Sequence, residues 1–166
     1  SDTHATSYAL SRVIRKVGDY DLVLAGVRAT DGDTGQVGPG VASFLRIPLA
    51  TEVSSIQEVA PRTVTVERLV ETGYEKLRLP LPCLLTVVKE ISHPRLPTLR
   101  GKQRARAAEV PVWGPEDLEL DSKFLGLKGS PTRVVKIERP KVARKGITVE
   151  VDKVGVEEAA RRLADF

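Results

Sequence analysis

The chain has 166 residues, 41% of them hydrophobic and 29% charged, a balance that describes one globular domain large enough for a real core. Its uninterrupted apolar runs are only a few residues long, which excludes a membrane-spanning helix, and no charged–apolar–small leader pattern opens it. The 26 lysines and arginines against 22 acidic residues leave a net charge of only +4, too weak by itself to name a partner.

Residues 3–17 are predicted as an amphipathic helix, because Ala9, Leu10, Val13, Ile14 and Val17 share one face at a 3.6-residue period. Asp2 or Thr3 suits its N-cap and Gly18 its C-cap. Residues 21–26 are a near-continuous apolar run, the pattern of a strand buried on both faces of a parallel sheet. A polar, glycine-rich loop follows, then a helix over 38–45 with Pro39 in its first turn and a strand over 50–56. Helix, strand, helix, strand in succession implies a parallel, βα-alternating sheet.

From Thr63 the period changes to two. Residues 63–70 and 74–79, joined through Glu71-Thr72-Gly73, read as an antiparallel hairpin with one solvated face. Pro80 and Pro82 bound it, and 83–89 is a last buried strand. That strand carries the single cysteine, Cys83, expected to be a buried small hydrophobe in a reducing compartment. Residues 116–145 are loop-rich, with 132–137 strand-like, and 156–166 read as a closing helix, apolar at Val156, Ala160 and Leu163. The expected fold class is α/β: a mostly parallel nucleotide-binding sheet flanked by helices, an antiparallel edge hairpin and a loop-rich C-terminal arm. The expected division is a domain over 1–112 and an arm with its helix over 113–166.

The stretch from Gly26 to Pro39 carries the clearest chemistry. An apolar strand delivering a glycine-rich loop to a helix start is how α/β proteins hold nucleotide phosphates, since glycines admit close backbone approach and the helix N-terminus is partly positive. Asp33 and Gln36 can hydrogen-bond adenosine hydroxyls or ring edges, Thr34 offers a hydroxyl, and the Gly35, Val37 and Gly38 amides can meet phosphate oxygens. The pattern matches neither GxGxxG nor the Walker motif, and the same residues also suit an ordered turn held by its own Asp and Thr side chains. Asp31 and Asp33, two apart in that loop, read as turn-formers or ligand hydrogen-bonders rather than a catalytic pair. His4 and His93 have no partners at metal-ligand spacing, and Ser43, Ser54 and Ser55 lack a nucleophile-elbow context, so neither a metal nor a covalent catalytic centre is expected. Basic residues cluster at Arg95, Arg100, Lys102, Arg104 and Arg106, and again at Arg139, Lys141, Arg144 and Lys145. No aromatic residue interleaves them for base stacking, which argues against nucleic acid and leaves a solvated basic face or a face for an acidic protein.

The string Ala29-Thr30-Asp31-Gly32-Asp33-Thr34-Gly35-Gln36-Val37-Gly38-Pro39 closely resembles the nucleotide-binding loop of the electron-transfer flavoprotein β subunit. Leu85-Thr86-Val87-Val88-Lys89-Glu90-Ile91, with His93-Pro94-Arg95-Leu96-Pro97-Thr98-Leu99-Arg100-Gly101-Lys102, is similar to that family's signature segment. Gly126-Leu127-Lys128-Gly129-Ser130-Pro131-Thr132-Arg133-Val134 is similar too, so three motifs in the right order cover nearly the whole chain.

The resemblance implies an electron carrier rather than an enzyme, paired with an α subunit as a heterodimer. It implies FAD shared with α and an adenine nucleotide, AMP or a second FAD, in the β site. The loop is more similar to that of the flavin-bifurcating, nitrogen-fixation-type branch, in which the β nucleotide is a second FAD, and bifurcation within a complex is the corresponding expectation. Thr6 matches a helix start that contacts that flavin, and Gly26, Asp31, Asp33, Thr34, Gly35, Gln36, Val37 and Gly38 match the nucleotide loop. One departure is Arg28, where the family usually has Gln. Pro94, Pro97, Leu99, Arg100 and Lys102 match the segment that docks partner dehydrogenases (acyl-CoA dehydrogenases or others), with Leu99 the anchor. Without the resemblance, Leu99 would read as a core residue. Electrons would pass on to an acceptor such as a quinone oxidoreductase, in the cytoplasm of a bacterium or archaeon, with no membrane insertion. The family carries further strands before this segment, so the chain reads as N-terminally truncated. The rival from another class is a stress-type nucleotide-binding protein of similar fold, which leaves the segment 93–112 unexplained.

Overall fold

The computed structural model describes residues 2–138 and 148–164. The basic cluster Arg139, Lys141, Arg144 and Lys145 lies outside the described residues. Helix α1 spans Thr3–Val17, capped by the Asp2 carboxylate, which accepts the Ala5 N–H at 3.1 Å, and closed by Gly18 at φ 62°. Its most buried residues are Ala5, Ser7 and Ser11, whereas Leu10 and Val17 of the predicted apolar face are exposed. The reason is close helix packing: α2 (Val37–Leu45) approaches so tightly that a Cβ on Gly40 would stand 2.4 Å from Ser7 Oγ. Only small side chains fit there, and the Ser7 hydroxyl is satisfied by the Thr3 and Val37 carbonyls.

Five strands follow the order β1-β5-β2-β3-β4, with β1 Leu22–Gly26, β2 Leu49–Ala60, β3 Thr63–Val70, β4 Gly73–Pro80 and β5 Cys83–Val87. β1, β5 and β2 are parallel, and β2, β3 and β4 antiparallel. The parallel side flanked by helices and the antiparallel hairpin are as the sequence predicts. Two features differ. β2 runs to Ala60 and makes its own tight turn into β3, pairing Ala60 with Thr63. And β1, predicted to be buried on both faces, stands at the sheet edge with Leu24 56% exposed, while β5 takes the central place beside it. An apolar run records how much a strand can bury, not which neighbours it finds.

Two cores result. Val41, Ala42 and Leu84, with Ile14, Val23, Ala25 and Leu49 around them, lie between the helices and the sheet. Val53, Val64, Val66, Leu79, Cys83 and Leu85 pack strand against strand on its other side, where burial pushes the Cys83 thiol up. Outside the sheet, residues 113–132 lie on α1. Arg12 donates to the Leu118 and Glu119 carbonyls, Lys16 to that of Asp117, and Lys16 stands 5.1 Å over the Trp113 ring. The chain divides into two compact units at Arg133/Val134, and the second holds α4 (Val151–Val154) and α5 (Val156–Ala164). The strand expected at 132–137 does not form: Val134, Val135 and Ile137 are 75%, 95% and 89% exposed, β-branched residues that pair with no strand among the described residues.

Asp2 also holds Thr132, accepting from its N–H at 3.0 Å and its hydroxyl at 2.8 Å. Desolvation pushes its carboxyl up, but the hydrogen bonds from Ala5 and Thr132 outweigh it and hold the pKa at about 2, against 3.8 for an ordinary Asp. A depressed folded value means that this stabilisation is complete above the unfolded pKa and is lost as pH falls from about 3.8 towards 2. The melting temperature of the wild type should therefore fall more steeply across that window than that of Asp2→Asn. Parallel curves would show that the bonds contribute nothing.

Candidate functional site

β1 and β5 are parallel neighbours and end in register, Gly26 opposite Val87. Ligands of open α/β sheets bind outside such carboxyl ends. Both stretches singled out by the sequence leave from here. Residues 27–36 run from Gly26 into α2, and residues 88–98 run from Val87 through a single turn of 3-10 helix, Lys89–Ile91.

The first stretch is a built turn. The Asp33 N–H donates to the Ala29 carbonyl at 2.9 Å, and the Gly32 N–H to Asp31 Oδ1 at 2.7 Å. Asp33 at φ 46° and Gly35 at φ 65° both take the left-handed conformation, the second with no steric cost because it is glycine. Arg28 reaches across to Asp33 at 3.7 Å and braces the loop. Asp31, Asp33, Thr34 and Gln36 are exposed, and the loop is open rather than enclosed. A cleft of about 490 Å³, lined by Tyr8, Arg12, Arg15, Phe44 and Arg46 among others, shares no residue with it.

At the start of α2 the Val37 and Gly38 N–H groups have no intrahelical acceptor, Pro39 has no N–H, and Gln36 makes no side-chain cap. The Gln36 side chain instead accepts the Thr3 hydroxyl at 2.9 Å, which draws the N-terminal ends of α1 and α2 together. Thr6, the residue singled out on α1, donates its hydroxyl to the Asp2 carbonyl at 2.8 Å. Sequence reasoning missed the contacts of Thr3 and Ser7 and singled out Arg28 without its bond to Asp33; only the helix-cap position of Thr3 hinted at its role. Gly35→Ala should destabilise the protein by about 1 kcal/mol, because alanine at this φ is strained although its Cβ would meet Val27 O and Arg28 Cγ only at ordinary contact distances of 3.7 and 3.8 Å. Unchanged chemical denaturation would mean that the loop takes another conformation.

In the second stretch Pro94 and Pro97 lie in an irregular, exposed segment. Thr98 then caps a helix, α3 (Leu99–Ala107), by accepting the Gly101 N–H at 3.1 Å. The segment singled out from Pro94 to Lys102 thus turns helical after Thr98, because this cap is followed by the good helix formers Lys102-Gln103-Arg104-Ala105-Arg106-Ala107. α3 buries no residue. Leu99 is 74% exposed and Leu96 94%, with Arg100 and Lys102 exposed beside them. Among the described residues no group of three or more His, Cys, Asp or Glu could hold a metal ion, and no helix is long and apolar enough to cross a membrane.

A family model described as "Electron transfer flavoprotein domain" matches residues 1–118. The chain is 42% identical over 166 residues to an electron transfer flavoprotein subunit beta of Thermoanaerobacterium thermosaccharolyticum, covering 99% of this chain and 62% of that one. It is 42% identical over 140 residues to the caffeyl-CoA reductase-Etf complex subunit CarD of Acetobacterium woodii, covering 84% and 53%. It is 44% identical over 147 residues to the protein FixA of Azotobacter vinelandii, covering 85% and 52%. The chain therefore spans between about half and three fifths of the length of these relatives.

Proposed function

The chain belongs to the electron transfer flavoprotein domain family, and from that premise we propose that it serves as the β subunit of an electron-transfer flavoprotein. In this reading it pairs with an α subunit, shares FAD with it, and holds an adenine nucleotide, AMP or a second FAD, at the 26–38 loop. The observation that carries the reading is the loop itself: a left-handed turn at Asp33 and Gly35 that ends at a helix N-terminus, where the Val37 and Gly38 amides have no intrahelical acceptor. Those two amides would meet phosphate oxygens. The exposed Asp33 and Thr34 side chains would meet ribose hydroxyls or the base, and the Thr3–Gln36 bond would hold Gln36 beside them. FAD, when bound, supplies stepwise carriage of electrons; the chain itself binds, orients and docks.

The exposed proline-stiffened segment and Leu99 support docking of dehydrogenases, and the onward acceptor would be a quinone oxidoreductase or its equivalent. The part from residue 113 onward would reach the α subunit. The likeness to FixA and to a subunit of a caffeyl-CoA reductase-Etf complex supports a role in flavin-based bifurcation within a larger assembly, in the cytoplasm of a bacterium. The test is to purify the protein with its co-expressed α partner, record the visible spectrum, and count flavin and AMP after denaturation. A yellow heterodimer with one adenine nucleotide per β chain is the expected result. A colourless protein that binds ATP would overturn the reading in favour of a stress-type nucleotide-binding protein.

A further inference from the structure

Gly38 is buried in the first turn of α2, directly over β5. A Cβ built on it would stand 2.4 Å from Thr86 Cγ2, closer than real side chains approach. The α2 N-terminus therefore rests on the Thr86 methyl with nothing between them. The hydroxyl of the same side chain, which is only 2% exposed, accepts the Glu52 N–H at 3.0 Å. Glu52 sits at φ 56°, in a bulge where Ala50 to Val53 of β2 opposes Leu85 to Val87 of β5, one residue more on the β2 side. A bulge turns an N–H out of the ladder, and a buried N–H without an acceptor is costly. Thr86 supplies that acceptor.

One β-branched side chain thus settles two irregularities at the carboxyl end of the parallel strands. Serine would keep the acceptor and lose the methyl, and valine would keep a methyl and lose the acceptor. We infer that Thr86 is a positioning residue for the 26–38 loop. Its methyl sets the height of the α2 N-terminus, and so the aim of the Val37 and Gly38 amides, while its hydroxyl locks the Glu52 bulge. What the amides hold rests on the function proposed above; the lock itself does not. Gly38 is then glycine because the helix must approach the strand closely, as well as for any ligand.

A size swap tests this in the complex with its α partner. Thr86→Ser opens a gap beneath Gly38 and should lower adenine-nucleotide retention roughly three- to tenfold, with a small loss in melting temperature. Gly38→Ala alone should lower both. Combining the two should recover most of the retention, since the new methyl fills the gap left by the old one. Thr86→Val should keep retention near wild type but speed hydrogen exchange of the Glu52 amide roughly tenfold or more. Wild-type retention in Thr86→Ser, or a double variant no better than the worse single, would overturn the inference. Wild-type protein free of adenine nucleotide would sink the proposed function instead, and recovery of the Val37 and Gly38 amide exchange rates in the double variant would still decide the lock.

Discussion

Gly38→Val lowers the stability of the protein by roughly 3 kcal/mol or more, whether or not a nucleotide is bound. A glycine where a loop proposed to hold a nucleotide enters its helix invites another explanation, that it leaves room for a phosphate, and then valine would empty the site while the fold survived. The geometry gives the glycine a different neighbour. Its missing Cβ points at Thr86 Cγ2, with Leu84 Cδ2 at 3.7 Å and Ala25 Cβ at 3.8 Å, all of them strand side chains beneath the helix. Valine brings three carbons into a space that cannot take one, next to residues of the helix-side core, Val41, Ala42 and Leu84. Relief requires α2 to lift off β5, which exposes that core and carries the Val37 and Gly38 amides away. Nucleotide content falls in consequence, but together with the denaturation midpoint. Urea unfolding of the nucleotide-free protein separates the two accounts: an unchanged midpoint with lost nucleotide would mean that the glycine serves the ligand alone.

That glycine illustrates where the sequence was legible and where it was not. Local signals carried well. The Asp2 cap, the Gly18 stop and the helical period set α1 within residues adjacent in the chain, and the period-two alternation of 63–79 with its turn at Glu71-Thr72 set the β3–β4 hairpin. Features that depend on distant partners did not. Nothing in Cys83-Leu84-Leu85-Thr86-Val87 says that it inserts between β1 and β2, and Glu58 and Val59 become strand only because Thr65 and Val64 pair across from them. The apolar stripe of α1 suggested a conventional helix face. The close contact with α2 selected Ser7 for burial instead, since small residues permit what leucines forbid. In the candidate site, the loop residues were legible as a chain-local string of glycines and aspartates. The brace from Arg28, the tie from Thr3 and the support from Thr86 belong to the tertiary structure, and each comes from a residue type too ordinary to mark itself.

Leu99→Ala leaves stability and flavin content unchanged and weakens partner-dependent electron transfer, by about 1–3 kcal/mol in docking free energy. The first half of this expectation follows from exposure. Leu99 is 74% exposed at the first position of α3, a helix that buries none of its residues, so truncation opens no cavity. The second half follows from how the residue is presented. Pro94 and Pro97 restrict the backbone before it, which reduces the entropy lost when the segment is ordered against a partner. Thr98 fixes the helix start through its bond to the Gly101 N–H, so Leu99 projects from a defined point rather than from a loose loop. Arg100 and Lys102 follow, exposed and without an acidic partner among the described residues, and give the apolar anchor a basic rim suited to an acidic surface. The rim and the anchor should separate kinetically: Arg100→Ala with Lys102→Ala should slow association and flatten its salt dependence, while Leu99→Ala should mainly speed dissociation. Stopped-flow reduction by a dehydrogenase, set beside thermal melting of the free heterodimer, reads both. A melting temperature lowered by several degrees with transfer kinetics intact would return Leu99 to the interior and end the docking assignment.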